Sequence, residues 1–247
     1  MQESNIRNES TQRIQRHIES GEVCCDSAWE DAYKRFETPE EEIKKFIGRL
    51  KAFGLQDRPK DIRVVELFCG RGGGLVALQR LGFTNLDGVD LSETLLQQNQ
   101  NNARLHLADC RSLPFDDESI DAVVVHGGLH HLPCLPGDLE SVLKEIQRVL
   151  KPSGTFHAVE PWLTPFLRFV HVVVENYWVR KFYDKGDALA VMIEHERETY
   201  EQWLHQPDSI RKLFGRFFVA KTDQSTWGKF QFTGVRKETP EMGPSNS

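Results

Sequence analysis

Val64-Val65-Glu66-Leu67-Phe68-Cys69-Gly70-Arg71-Gly72-Gly73-Gly74 is a short apolar run that breaks into four glycines within five residues. Glycine strips the side chain from a turn, so a ligand can lie directly against the backbone. A helix starting behind such a turn offers N–H groups that have no partner inside the helix. From Gly70 the pattern is G-x-G-x-G, with Leu75 in sixth place where a dinucleotide fingerprint has its third glycine. Glu66 stands four residues before Gly70. A carboxylate there suits an amino-acid ammonium group and repels a pyrophosphate. Asp90 ends the next apolar run, about twenty residues past the loop, where an acidic residue binds ribose hydroxyls. It serves a dinucleotide and a simple nucleoside alike. Alone, the glycines would fit a plain tight turn, and Asp90 would fit a cap for the helix opening near Ser92. Together, each at a strand end, the loop, Glu66 and Asp90 point to a bound nucleoside.

Outward from this stretch, apolar runs alternate with amphipathic ones. Val64–Phe68, Leu86–Val89, Leu105–Ala108, Ala122–Val125 and Thr155–Val159 read as strands, and 74–81, 92–100 and 138–150 as helices. That alternation predicts a parallel sheet covered on both faces. Upstream, Thr38-Pro39-Glu40-Glu41 is a helix start, with Thr as N-cap, Pro in first position and Glu three after the cap. Ile43, Phe46, Ile47 and Leu50 follow helical spacing, and Gly54 supplies a stop. Residues 161–215 interrupt the pattern with a helical, aromatic-rich insertion, after which two strands pair as a hairpin. Residues 1–27 read as a polar arm, 28–238 as one domain and 239–247 as a disordered tail.

Composition narrows the partners. The 247 residues carry 31 Lys and Arg against 37 Asp and Glu, a net of −6, which gives no general attraction for nucleic acid. The five cysteines are odd in number and include no C-x-x-C pair, so neither a disulfide framework nor a metal site is expected. With no apolar leader at the N-terminus, the reading is cytoplasmic. Trp162–Phe182 is apolar but contains Arg168, His171, Glu175, Arg180 and Lys181, too many charges for a bilayer span.

The chain resembles the class I S-adenosylmethionine-dependent methyltransferases. Val64–Gly74 resembles their first motif and Gly88–Ser92 their acidic second-strand motif. Ala108-Asp109-Cys110, Leu113-Pro114-Phe115, Asp121–Val124, Leu129-His130-His131-Leu132 and Val142–Gly154 continue the likeness in order. The resemblance implies a Rossmann-like α/β three-layer sandwich. Its sheet would have seven mostly parallel strands in the order 3-2-1-4-5-7-6, strand 7 antiparallel, with a helical insertion after strand 5. It implies S-adenosylmethionine as cofactor and S-adenosylhomocysteine as product. Glu66 and the backbone at Phe68, Gly70 and Gly72 would hold the methionine part. Asp90 would take the ribose, Leu91 would pack on the adenine, and Asp109 with Cys110 would meet the adenine amino group. His126 and Gly127 would lie beside the sulfonium.

His130, His131 and Glu160 are the candidate bases, because imidazole titrates near neutrality and Glu160 ends the fifth strand. Tyr33, Trp162, Tyr177 and Tyr183 are candidates for lining an acceptor pocket. A stripe at helical spacing, Phe166, Val170, Val173, Tyr177 and Trp178, would serve core packing as well as a pocket. The expected partner is a small, partly apolar acceptor. Contact with a lipid surface stays open because the insertion is amphipathic. A polymer methyltransferase and a non-catalytic, cofactor-binding subunit are the competing readings.

Overall fold

The computed structural model describes residues 14–19 and 27–238. Eight strands form one sheet: β1 (Ile14–Arg16), β2 (Arg63–Leu67), β3 (Asn85–Asp90), β4 (Arg104–Leu107), β5 (Ile120–His126), β6 (Leu150–Pro161), β7 (Phe218–Thr226) and β8 (Lys229–Arg236). Their order is β1-β4-β3-β2-β5-β6-β8-β7. Only β8 runs against the rest, antiparallel to both β6 and β7. From β4 onward this is the order the resemblance implies.

The eighth strand is the departure. Ile14–Arg16 falls in the stretch read as a polar arm, yet it pairs in parallel with Leu105–Leu107 at the sheet edge. Ile14 is buried, Arg16 forms an ion pair with Glu93, and the His17 ring stacks on His106. Three residues hold too few alternating positions to stand out as a strand in sequence. The remainder of the expected arm, and all of the expected tail at 239–247, lie outside the described residues.

Alternation along the strands divides the core in two. Val64, Ala122 and Val124 face α2 (Pro39–Ala52) and α3 (Gly73–Arg80), meeting Ile43, Phe46, Leu50, Leu75 and Leu78. Val65, Leu67, Val123 and Val125 face the other way, toward α5 (Gly137–Val149) and α10 (Pro207–Phe217), meeting Leu143, Ile146, Ile210 and Phe214. The capping box that opens α2 is formed: Thr38 accepts from the Glu41 N–H, and Glu41 accepts from the Thr38 N–H. Asp87, wholly buried in β3, accepts from Arg63 and Arg104 and lies 2.9 Å from His106 Nε2. Burial pushes its carboxyl up, but these three partners outweigh burial and hold it below the usual range.

Between β6 and β7 the chain forms α6 (Pro165–Val174), α7 (Tyr177–Phe182), α8 (Asp184–His195), α9 (Arg197–Leu204) and α10. The helix α1 (Ser27–Phe36) packs on α8, where Arg35 bonds Asp184 and Asp187. α4 (Glu93–Gln97) follows β3, with Ser92 as its N-cap. Strand order reverses on either side of β2, so a crevice opens at the C-terminal ends of β2 and β5, where doubly wound folds hold ligands.

Two buried imidazoles give the fold a pH signature. Burial, with the Arg58 and Lys221 charges added, pushes His157 down to about 3. Burial beside Arg49 and Lys45 pushes His126 well below its ordinary value. Both groups bind a proton more readily in the unfolded chain, so below about 6.5 they cost stability as pH falls. His130 acts with the opposite sign. Burial lowers it, but bonding to Glu160 and Glu196 outweighs burial and raises it to about 10, so its contribution fades as pH rises from 6.5 through 10. Through His126 and His157 stability is expected to fall as pH drops from 7 to 5, a slope opposed by His130 and by the Glu66 and Asp90 carboxyls, both raised by burial. Chemical denaturation of His157→Gln beside wild type at pH 5 and 7 reads the imidazole part: the variant should lose less stability between the two, and an equal loss would refute it.

Candidate functional site

The glycine loop forms the floor of the crevice. Gly70 and Gly72 have φ of 48° and 84°, and Gly72 is the N-cap of α3. Phe68 also has positive φ, 56°, uncommon for a bulky residue and a mark of local strain. The glycines do not all bare the backbone. A Cβ at Gly74 would sit 1.8 Å from Glu66 Oε1, and one at Gly72 would sit 2.2 Å from Asn99 Nδ2. The chain's own side chains fill those two spaces. At Gly70 the nearest atom is Leu95 Cδ1 at 4.0 Å, so this backbone stands open to an incoming group.

Glu66 is 2% exposed. Its carboxylate accepts from the Leu75 N–H, while Oε2 is buried with no hydrogen-bond partner among the described residues. Burial, then repulsion from Glu42, pushes this carboxyl well above its usual range. A buried carboxylate oxygen with no donor suits a ligand's ammonium group. Asp90 accepts from the Gly70 N–H at 2.8 Å and the Ser92 N–H at 2.9 Å, tying β3 to the loop. Burial pushes its carboxyl up against these bonds. A carboxylate has about four lone-pair directions, so capacity remains for hydroxyl donors. The half-buried Leu91 follows it. The residues present therefore fit a nucleoside that carries an amino-acid cation.

Other predicted residues are more committed to the protein itself. Asp109 is held by Arg111, whose Nη2 lies 2.7 Å from Oδ2, and Arg111 also reaches Asp138. Burial, then the Asp109 charge, pushes the Cys110 thiol far up. His126 turns toward α2, stacked on Phe46 at 4.4 Å, and neither ring nitrogen has a hydrogen-bond partner among the described residues. Gly127 has φ of 88°, and a Cβ at Gly128 would lie 2.2 Å from Phe68 Cγ. The loops after β2 and β5 thus interlock through the Phe68 ring. Gly128→Ala is expected to cost about 1–3 kcal/mol of stability by overpacking. Denaturant unfolding checks it, and a midpoint equal to wild type would show that Phe68 moves freely.

Glu160 is fully engaged. Its Oε1 accepts the N–H groups of Gly128 and Leu129, both at 2.9 Å, and Oε2 lies 2.7 Å from His130 Nδ1. Glu196 and His131 complete the cluster. Tyr200 presents an edge to His130 and borders a cavity of about 250 Å³ inside the helical layer.

Of the predicted acceptor contacts, Tyr33 donates to Glu42 and lies under Arg71, beside the glycine loop. Trp162 is core, stacked on Phe230 at 4.7 Å and set edge-on to Trp203. Tyr177 and Tyr183 are 65% and 59% exposed on the outer face, so neither lines a pocket. The stripe that holds Tyr177 and Trp178 reads as inward-facing in sequence, but α7 buries none of its residues. Sequence reading missed Glu42, Arg49, Asn99 and Glu196. Glu42, Asn99 and Glu196 lie in polar runs and Arg49 among the apolar residues of α2, none at a motif spacing, and only the fold brings them near Glu66, Gly72, His126 and His130.

A family model described as a methyltransferase domain matches residues 65–158. A demethylmenaquinone methyltransferase of Staphylococcus epidermidis is 32% identical over 189 residues, 70% of this chain and 73% of that one. One of Staphylococcus aureus is 34% identical over 109 residues, 41% of this chain and 44% of that one. The PH0226 protein of Pyrococcus horikoshii superposes with a TM-score of 0.64 at 21% identity, covering 86% of this chain and 100% of that one. A geranyl diphosphate methyltransferase solved with S-adenosylmethionine gives 0.58 at 14%, covering 86% and 92%. The chain belongs to the class I S-adenosylmethionine-dependent methyltransferases. Among the described residues, no helix is long and apolar enough to cross a membrane.

Proposed function

We propose that this enzyme methylates a small, apolar, ring-bearing acceptor that it meets at a lipid surface. The observation that carries this reading is the exposed aromatic ridge on the helical layer. Phe169, Tyr177, Trp178 and Phe182 are each more than half exposed, and the Lys181 ammonium lies 5.6–5.7 Å from the ring centres of Tyr177, Trp178 and Phe182. Phe166 and the exposed Trp227 meet edge to face beside it. Aromatic rings with a long basic side chain suit the headgroup boundary of a bilayer. The demethylmenaquinone methyltransferases among the relatives support a quinone-like acceptor.

S-adenosylmethionine, when bound, supplies a sulfonium methyl group for in-line displacement. Glu66 would pair with its ammonium, the Gly70 backbone would lie against its methionine part, and Asp90 would accept from the ribose hydroxyls. Leu91, Asp109 and Cys110 would border the adenine, with Arg111 yielding Asp109. Alignment is the protein's main contribution, and positioning can be worth roughly 7–11 kcal/mol of barrier. Glu160 and His130 hold each other and the β5 loop, so they position rather than remove protons. His131 is the least enclosed of the three candidates.

The test uses methyl-labelled S-adenosylmethionine with the full chain and a membrane extract, then organic extraction. Label in the organic phase, and co-sedimentation with anionic vesicles that is lost in Trp178→Ser/Phe182→Ser, are the expected results. Label confined to protein or nucleic acid would overturn the proposal.

A further inference from the structure

His130, His131 and Glu196 each bring one ligand atom within 4.8 Å of the others. His130 Nε2 lies 3.6 Å from Glu196 Oε2, and His131 Nδ1 lies 4.0 Å from Glu196 Oε1. The far nitrogen of His130 is already engaged, Nδ1 facing Glu160 Oε2 at 2.7 Å. Glu160 is itself fixed by two backbone N–H groups. A carboxylate on the far side of a histidine sets the ring's orientation and aims the near nitrogen, as the outer carboxylates of metal sites do. Glu196 Oε1 is buried with no hydrogen-bond partner among the described residues.

We infer that His130 Nε2, His131 Nδ1 and Glu196 form a binding site for a divalent transition-metal ion of the zinc type. Two imidazoles and one carboxylate, with a fourth position open, are the donor set of three-ligand zinc sites. Bonds of about 2.0–2.2 Å in a tetrahedron place ligand atoms roughly 3.3–3.5 Å apart. His130 Nε2 and Glu196 already stand near that spacing at 3.6 Å, while His131 Nδ1, 4.0 Å from Glu196 and within 4.8 Å of the other ligand atoms, would turn inward on binding. The charge also balances: Glu160 and Glu196 are both buried, and one divalent ion between two neutral imidazoles neutralises them. No spacing in the chain points to this set, because the carboxylate comes from the junction of α8 and α9 and the imidazoles from the turn after β5.

The open position is on the His131 side, where the side chain is 18% exposed against 10% for His130 and 7% for Glu196. His131 is also close enough to Asp90 to act on its charge, so this side borders the nucleoside crevice. An acceptor hydroxyl or ring carbonyl bound to the ion would be polarised there. That consequence rests on the proposed methyl transfer, whereas metal binding does not.

The experiment strips the full chain with a chelator and titrates it with Zn²⁺ and, separately, with Co²⁺. The expected results are one equivalent bound and visible cobalt bands typical of a tetrahedral site. His131→Ala and Glu196→Gln should weaken binding at least 100-fold. Glu160→Gln should weaken it about 10–100-fold by loosening His130. Binding weaker than millimolar, or stoichiometric binding untouched by both ligand variants, would overturn the inference. Calorimetry of S-adenosylmethionine on the stripped protein separates the two claims. Its failure counts against the cofactor reading alone, and failure of Zn²⁺ and Co²⁺ to bind a chain that still binds S-adenosylmethionine counts against the metal alone.

Discussion

Asp90→Ala is expected to weaken S-adenosylmethionine binding at least about 100-fold in calorimetry. The carboxylate has two tasks in this structure. It holds the Gly70 and Ser92 N–H groups in place, and in the proposed complex it accepts from the ribose hydroxyls. A hydrogen bond to a charged group is worth about 1.5–3 kcal/mol. Losing two of them is therefore a loss of about two powers of ten or more. Asp90→Asn separates the tasks, because its amide oxygen can still accept one backbone N–H while its nitrogen cannot accept. That variant should fall between alanine and wild type, with a thermal midpoint close to wild type. Unchanged affinity in Asp90→Ala would remove Asp90 from the site.

Glu160→Ala should lower stability by about 3–5 kcal/mol, since it strands a buried imidazole and two buried N–H groups together. For a chain of this size that is a fall of roughly 6–20 °C in melting temperature. Glu160→Gln should recover part of the loss, because an amide oxygen can still accept from Gly128 and Leu129. A residue acting only as a proton acceptor would behave differently, with both variants losing turnover and neither losing stability. Scanning calorimetry beside methyl-transfer kinetics decides the matter. A melting temperature within 2 °C of wild type in Glu160→Ala would show that the β5 loop does not depend on this carboxylate.

Much of the fold was legible because its signals are local. The run Val64–Phe68, the Thr38 capping box, the Gly54 stop and the strand–helix alternation depend on neighbours within a few positions. The crevice was legible in outline for the same reason, Glu66, Gly70 and Asp90 each lying at a strand end. What escaped is set by tertiary contact. Gly72 and Gly74 look alike in sequence, yet Asn99 and Glu66 fill the space at each. Tyr177 and Trp162 are both aromatic residues of the insertion, but one faces solvent and the other packs on Phe230. Glu160 reads as a candidate base at a strand end, and only the fold shows its bonds to Gly128, Leu129 and His130.

The short edge strand β1 has a practical consequence. It covers the backbone of Leu105–Leu107, which would otherwise offer a row of unpaired amides at the rim of the sheet. Shortened versions of the protein that start near residue 27 would uncover that rim together with the apolar surface beneath Ile14. Such versions would be prone to stick to one another strand by strand. At the other end of the polypeptide β8 lies between β6 and β7, so only changes beyond Arg236 leave the sheet whole.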